Sequence, residues 1–582
     1  MNCILVVIDA LDYTRVQKSR YELLPFLSSM GKKGIVAENM YSEAPYTEAA
    51  AMALYAGQHT LDNGGYLERY NRTKETIFET FKNAGYSVYF NALQPQCFPT
   101  SLRRGITDIY YDRGFDSDVL WRYRLEHYSK EYHNGTLDEA DYEQIYRILD
   151  DNFEDWFQFL DDLISKDESV EIISELNKDY NPKEARDFVS KQKDNYLKNK
   201  KKYVENLLDK GCEHPLFSIP YFAQIDYAFS SEVKELLNGR CRKICKTIKR
   251  KNVISNIFSN KDVYYASWKA ICNLVKYRDY PRFLNSMYLV KNAVSSVHID
   301  DRYGEKSASL KGQPSFYTLN SHFLSWLDSR KGKKPFFACL HVDDIHFPEE
   351  FFSYDANDSK IISRDLDLAQ KYLSGRTWKQ AGTIIHDMSL LYADNQCRLL
   401  YEEIVKRNLQ NETVFIITAD HGFSYSGYPI REKAINTFYL ENFKIPFYAF
   451  GPNITGQEYK GLESSVSIPA SICEMMGIKK PSSFCKAICE QGEEYLFIEY
   501  CGGGCPDLRR REVMLAVFDG DFFVAAKAKL ADELTENKIV EIYDLKKDPM
   551  QRKNMLGKID RAQYSKYYEV LKKRFMQLQT SM

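Results

Sequence analysis

No apolar run in this sequence approaches the ~18–20 residues that a membrane-spanning helix needs, so no membrane anchor is expected. The N-terminus carries no basic leader or cleavage site: Asn2 to Ile8 runs straight into an apolar segment. Together these two absences predict a cytoplasmic protein. Charge of one sign is lacking as well, since 79 Lys+Arg against 81 Asp+Glu leave a formal net charge of −2. Without a bulk basic field, no nucleic-acid partner is expected. Cysteine is sparse and odd in number, 13 in 582 residues, which excludes a disulfide framework. The pairs Cys241/Cys245, Cys485/Cys489 and Cys501/Cys505 share a C-x3-C spacing. Structural zinc sites use a tighter spacing with a second pair at a fixed distance, so buried free thiols are the expectation here.

What remains is a globular composition, 44% hydrophobic and 27% charged, in a chain long enough for more than one domain or a large insertion. Cys3-Ile-Leu-Val-Val-Ile8 reads as a buried strand that ends in a carboxylate, Asp9. Helices are expected over Tyr21 to Met30, Glu48 to Tyr55 and Thr76 to Asn83, with strands over Gly34 to Met40 and Ser87 to Phe90. This alternation implies βαβ units around a parallel sheet. From about Phe115 to Lys331 the pattern turns charged, tyrosine-rich and helical. Its basic stretches, Lys191 to Lys202 and Arg240 to Lys251, read as solvated helix faces first and as an anion contact second. Strand character returns at Lys334 to His341. A long helical pattern over Met388 to Leu409 then leads into the strand Val414 to Thr418, and another strand covers Ile445 to Pro452. A helix over Ser467 to Gly477 precedes shorter strands, the segment Glu541 to Pro549 and a C-terminal helix.

The chemistry gathers at strand ends. Val414 to Thr418 runs into Asp420-His421-Gly422, a hard oxygen donor beside an imidazole, with a glycine that permits a sharp turn. In open α/β sheets, ligands bind beyond the carboxyl ends of the strands. Asp9, the pair His341/His346 and Asp420-His421 therefore form a candidate site for a divalent ion. Thr47 can add an oxygen nucleophile. It sits where a helix should start, so its hydroxyl either caps that helix or faces an anionic ester at the positive dipole end.

The order of these segments resembles the sulfatase branch of the alkaline-phosphatase superfamily. The resemblance is carried by Asn2-Cys-Ile-Leu-Val-Val-Ile-Asp-Ala-Leu11, Leu54-Tyr-Ala-Gly57 with Asn63-Gly64, and His341-Val-Asp-Asp-Ile-His-Phe-Pro348. It continues through Tyr392-Ala-Asp-Asn395, Thr418-Ala-Asp-His-Gly422, Lys444-Ile-Pro446 with Gly451-Pro452, and Ile542-Tyr-Asp-Leu-Lys-Lys-Asp-Pro549. It implies an alkaline-phosphatase/sulfatase-like α/β sandwich with a mainly parallel central sheet. Residues 1–115 and 332–485 would form the catalytic core, 116–331 a helical insertion or cap, and 486–582 a small C-terminal α+β subdomain.

In that family the nucleophile lies ten residues before the glycine of the Leu-x-x-Gly helix end, and counting back from Gly57 gives Thr47. Sulfatases proper carry a cysteine or serine there, within a C/S-x-P/A-x-R signature that is converted to formylglycine. Thr47-Glu-Ala-Ala-Ala51 has neither a convertible residue nor the arginine. The resemblance thus implies a threonine-nucleophile member, a metal-dependent hydrolase or transferase of phosphate mono- or diesters. Asp9, Thr47, Asp420 and His421 would surround the ion, which would be Zn, Mn or Ca. A second aspartate common after the first is here Ala10. His346 would contact the substrate's anionic oxygens or a second metal, with His341 behind it. Lys433 would neutralise charge on the ester. The family's lysine-x-histidine is absent, with Phe90-Asn-Ala-Leu-Gln-Pro95 in its place. The implied partner is an anionic ester, a small molecule or glycan-linked. Hydrolysis of sulfate or sulfonate esters at the same site, and a catalytically silent binding protein, are the alternatives.

Overall fold

The computed structural model describes residues 1–65, 75–92, 102–111, 125, 128–129, 131–165, 181–211, 214–218, 316–330, 334–342, 345, 384–423, 438–488, 494–501, 508 and 511–581. The strands of the large sheet are β1 (Asn2–Ile8), β2 (Ile35–Tyr41), β3 (Ser87–Ala92), β4 (Asp108–Tyr111), β5 (Phe336–Val342), β6 (Thr413–Thr418), β7 (Lys444–Phe450), β8 (Gln457–Tyr459) and β9 (Glu463–Ser464). They lie in the order β4-β3-β5-β1-β6-β7-β2-β8, with β9 also on β2. All pairings are parallel except the two made by β7, which runs opposite to both β6 and β2. The apolar run Cys3–Ile8 of β1 follows from its place. It is flanked by β5 and β6, and every one of its residues is buried, as a central parallel strand covered on both faces requires.

Around the sheet stand α1 (Tyr13–Lys18), α2 (Pro25–Gly31), α3 (Thr47–Ala56), α4 (Ile77–Asn83), α5 (Glu139–Ser165), α6 (Pro182–Lys198), α7 (Lys200–Lys210), α8 (Phe316–Ser329), α9 (Ile384–Lys406) and α10 (Ile468–Met475). The helix expected over Tyr21 to Met30 is corrected. Asp12 caps a separate short helix through Arg15 N at 2.8 Å. The chain then turns through Arg20 and Tyr21, both at positive φ (55° and 64°), and the next helix starts only at Pro25. Asp394 of α9 caps that second helix from a distance, accepting the amides of Phe26 and Leu27 at 2.8 and 2.9 Å. This cap gives the Tyr392-Ala-Asp-Asn395 motif a structural reason.

In the central segment α5, α6 and α7 pack on one another through Leu149, Phe153, Tyr196 and Leu207. Here the basic stretch is a covering of its neighbours. Lys200 pairs with Asp150 at 2.8 Å and lies over the Tyr196 ring, while Lys193 and Lys201 lie over Phe157 and Tyr142. Arg240 to Lys251 lies outside the described residues, as do Cys241, Cys245, Cys489 and Cys505. Further on, α8 packs against β5 and α9 and so belongs with the large sheet.

The C-terminal part builds a second, antiparallel sheet in sequence order: β10 (Leu496–Tyr500), β11 (Glu512–Phe518), β12 (Phe522–Lys529) and β13 (Ile539–Asp544). It is backed by α11 (Arg561–Ser581). Helix α3 lies between the two cores. Ala51, Met52, Leu54 and Tyr55 join the core of the large sheet, whereas Ala49 and Ala50 join that of the small one. Contact on both sides explains its alanine run, because only small side chains allow two layers to approach one helix. All its residues are buried. Among the described residues no helix is long and apolar enough to cross a membrane.

Candidate metal centre and nucleophile

The parallel register builds the site. Val7 of β1 aligns with Thr418 of β6 on one side and His341 of β5 on the other. Because side chains alternate along a strand, a step of two residues places Asp9 and Asp420 beyond that row on the same face. The step off the strand is sharp. Ala10 adopts φ 58°, and its amide donates to Asp420 Oδ1 at 3.2 Å, while the His421 amide donates to the same oxygen at 2.7 Å. Asp420 Oδ2 is left facing inward, with no hydrogen bond among the described residues. Gly422 is required by space. A Cβ there would lie 2.4 Å from the Glu441 carbonyl oxygen and 2.9 Å from that of Lys444. The glycine thus serves close backbone approach at the sharp turn.

Two imidazoles meet these carboxylates. His421 Nε2 lies 3.3 Å from Asp9 Oδ1 and 3.6 Å from Asp420 Oδ2, and its Nδ1 is 2.8 Å from the Gly422 carbonyl. Burial works against charge on this ring, yet Asp420 and Asp9 push its pKa up to about 9. His341 Nε2 lies 3.7 Å from both Asp9 Oδ2 and Asp420 Oδ2. The donor atoms of Asp9, His341 and Asp420 fall within 4.8 Å of one another, so two carboxylates and imidazole can converge on one divalent ion.

Thr47 is the first residue of α3, and the position before it is Tyr46, which makes no side-chain cap. The threonine hydroxyl does not cap the helix. It donates across 3.1 Å to Asp9 Oδ2 and is 6% exposed. Asp9, Thr47, Asp420 and His421 are thus brought together. His346 and Lys433 lie outside the described residues. The structure sets His341 facing the two aspartates, while its expected place behind His346 lies outside the described residues. The available signal was a polar residue next to the end of an otherwise apolar buried strand.

A second cluster braces the segments on either side of α3. Glu43 meets His59 Nδ1 at 2.7 Å, the amide of Thr60 at 3.1 Å and the Ser464 hydroxyl at 3.2 Å. Glu499 of β10 accepts the Leu61 amide and two bonds from Arg574 of α11, each at 2.8 Å, and Arg574 reaches Asp62 at 2.7 Å. The guanidinium holds the Glu499 carboxyl below its usual range against the effect of burial. Nothing in the local sequence pattern signals this network, whose Leu61–Glu499 and Ser464–Glu43 bonds join residues 438 and 421 positions apart.

A model of the Sulfatase family matches residues 1–160 and 249–478, which includes parts of the central segment and leaves the C-terminal sheet outside. No curated protein matches the chain. Among solved structures, a phosphonate monoester hydrolase from Silicibacter pomeroyi is similar at 11% identity and a TM-score of 0.49, covering 100% of this chain and 96% of that one. The phosphonate monoester hydrolase of Agrobacterium radiobacter shares 12% identity at a TM-score of 0.47, with 100% and 95% covered. A 2-O GAG sulfatase shares 12% identity at 0.44, with 100% and 92% covered. With well over half of its length inside the family match, the chain belongs to the sulfatase family.

Proposed function

We propose that this protein is a metal-dependent hydrolase or transferase of phosphate mono- or diesters, with the unmodified Thr47 hydroxyl as nucleophile. One observation carries the reading: that hydroxyl stands at the start of a buried helix and points to Asp9 Oδ2 at 3.1 Å instead of capping the helix. Sulfatase-family members generally use a divalent ion, and Asp9, His341 and Asp420 converge closely enough to hold one; this reading takes Asp9, Thr47, Asp420 and His421 as its holders. When bound, the ion supplies positive charge that lowers the pKa of a hydroxyl and neutralises the ester's oxygens.

The chain's own residues do the rest. Asp9 Oδ2 fixes the hydroxyl and is the acceptor nearest its proton. Helix α3 begins at Thr47, so the positive end of its dipole lies at the nucleophile and favours an incoming anion. Thr47 Oγ1 forms the new bond to phosphorus, the ester P–O bond breaks, and the alcohol leaves. Water or another acceptor then releases the phosphothreonine. This reading gives the anionic oxygens of the ester to His346 and Lys433, and its substrate class is an anionic ester.

Sulfate-ester hydrolysis is the second reading, favoured by the family match. It is disfavoured by the absence of a convertible residue at position 47. A panel of aryl phosphate monoesters, diesters and aryl sulfates, assayed with Zn²⁺, Mn²⁺ and Ca²⁺, separates them. The phosphate reading expects kcat/KM highest on a phosphate ester; a higher value on the sulfate overturns it.

A further inference from the structure

We infer that His341 is itself a ligand of the metal, through Nε2, and that Tyr55 is the positioning residue that fixes it in that role. The inference rests on the proposed metal site and narrows its chemistry. His341 Nε2 stands 3.7 Å from one oxygen of each aspartate. That separation is too long for a hydrogen bond. It suits two ligands of one ion, because donors ~2.1 Å from a tetrahedral centre lie about 3.4 Å apart.

The other ring nitrogen is also held. Tyr55 Oη lies 3.0 Å from His341 Nδ1. A histidine that ligates through Nε2 needs that lone pair, so Nδ1 carries the hydrogen and donates to the tyrosine oxygen. The Cys339 thiol donates to the same oxygen at 3.9 Å. Tyr55 is fully buried among Phe78 and Phe90 on α3, the helix that begins at Thr47. The backbone of His341 is clamped too. The Asn91 side chain gives its amide to the His341 carbonyl at 2.7 Å and takes the His341 N–H at 2.8 Å. This clamp continues the β3–β5 pairing beyond its last register pair, Phe90 with Cys339. Rotation and translation of the imidazole are therefore both restrained.

The position matters because Ala10 offers no carboxylate to this site. With His341 present, the donor set holds two imidazoles, two carboxylates and a hydroxyl. Nitrogen-containing sets suit Zn²⁺ or Mn²⁺, whereas Ca²⁺ takes oxygen ligands. The inferred ion is thus a transition metal or zinc.

Mn²⁺ loaded into the full-length chain, read by pulsed electron paramagnetic resonance, counts coordinated imidazole nitrogens directly. The wild type should show two, and His341→Gln one, with Mn²⁺ affinity lowered about 100-fold. Tyr55→Phe should keep two nitrogens but bind Mn²⁺ roughly 10- to 100-fold more weakly, with the melting temperature of the metal-free chain little changed. An unchanged nitrogen count and affinity in His341→Gln overturns the inference, while loss of the ion in Asp9→Asn leaves the metal site itself standing. A wild type that binds neither Mn²⁺ nor Zn²⁺ overturns both. If His341→Gln does not fold, the wild-type count decides: one imidazole overturns the inference and two support it.

Discussion

Thr47 Oγ1 and Asp9 Oδ2, 38 residues apart in sequence, are joined by a 3.1 Å hydrogen bond that ties the start of a helix to the end of the central strand. The bond places a hydroxyl against a carboxylate that also faces two imidazoles. In the proposed reading, the nucleophile and the cation site share this one group.

Metal binding should therefore appear as stability. An ion that binds only the folded chain adds about 2.7 kcal/mol at a hundredfold excess over Kd. Thermal unfolding with Zn²⁺ or Mn²⁺ should show this rise in the wild type. It should vanish in Asp9→Asn and Asp420→Asn, because Asp420 Oδ1 is engaged by backbone amides and Oδ2 alone faces the site.

Arg574→Ala should be among the most destabilising changes outside the site. The guanidinium is bonded to Glu499 and Asp62, and Glu499 is fully buried. Leaving a buried carboxylate without its partner costs about 3–5 kcal/mol. Urea denaturation of the variant checks this.

Stability should also fall at alkaline pH through His59. Burial opposes its charge, but Glu43 and Glu499 lift its pKa to about 9, above the ordinary value of about 6.5. A raised histidine stabilises the fold fully below its unfolded pKa and loses that contribution as pH rises through the folded one. The ring keeps 29% of its surface open, so about 1–2 kcal/mol should disappear between about pH 6.5 and about pH 9. Urea midpoints across that range should slope for the wild type and flatten for His59→Gln.

The parts legible in the sequence were those with short-range physical signatures. Strands β1, β5 and β6 read as buried because a central parallel strand is apolar on both faces, so Asp9 and Asp420 stood out at their ends. Thr47 came from the spacing to Gly57. The cap role weighed for it failed, because Tyr46 holds the capping position and the hydroxyl turns to Asp9. The helix expected over 21–30 was set too early, because the chain still turns through Arg20 and Tyr21 at positive φ and the helix starts only at Pro25. His341 could be placed among the candidate ligands at the strand ends, but its approach to both aspartates depends on its register with Val7, which the sequence does not show. The brace of Glu43, His59, Glu499 and Arg574 was invisible, because no period or motif links residues so far apart.

The most direct measurement is acid-quenched turnover of an aryl phosphate, followed by mass spectrometry of the peptide that contains Thr47. The account predicts phosphothreonine at position 47 in the wild type. It also predicts loss of both the mark and the turnover in Thr47→Ala, with a stability change of only about 1 kcal/mol for one lost hydrogen bond. Undiminished turnover by Thr47→Ala, or a phosphoryl group trapped on another residue, would contradict it.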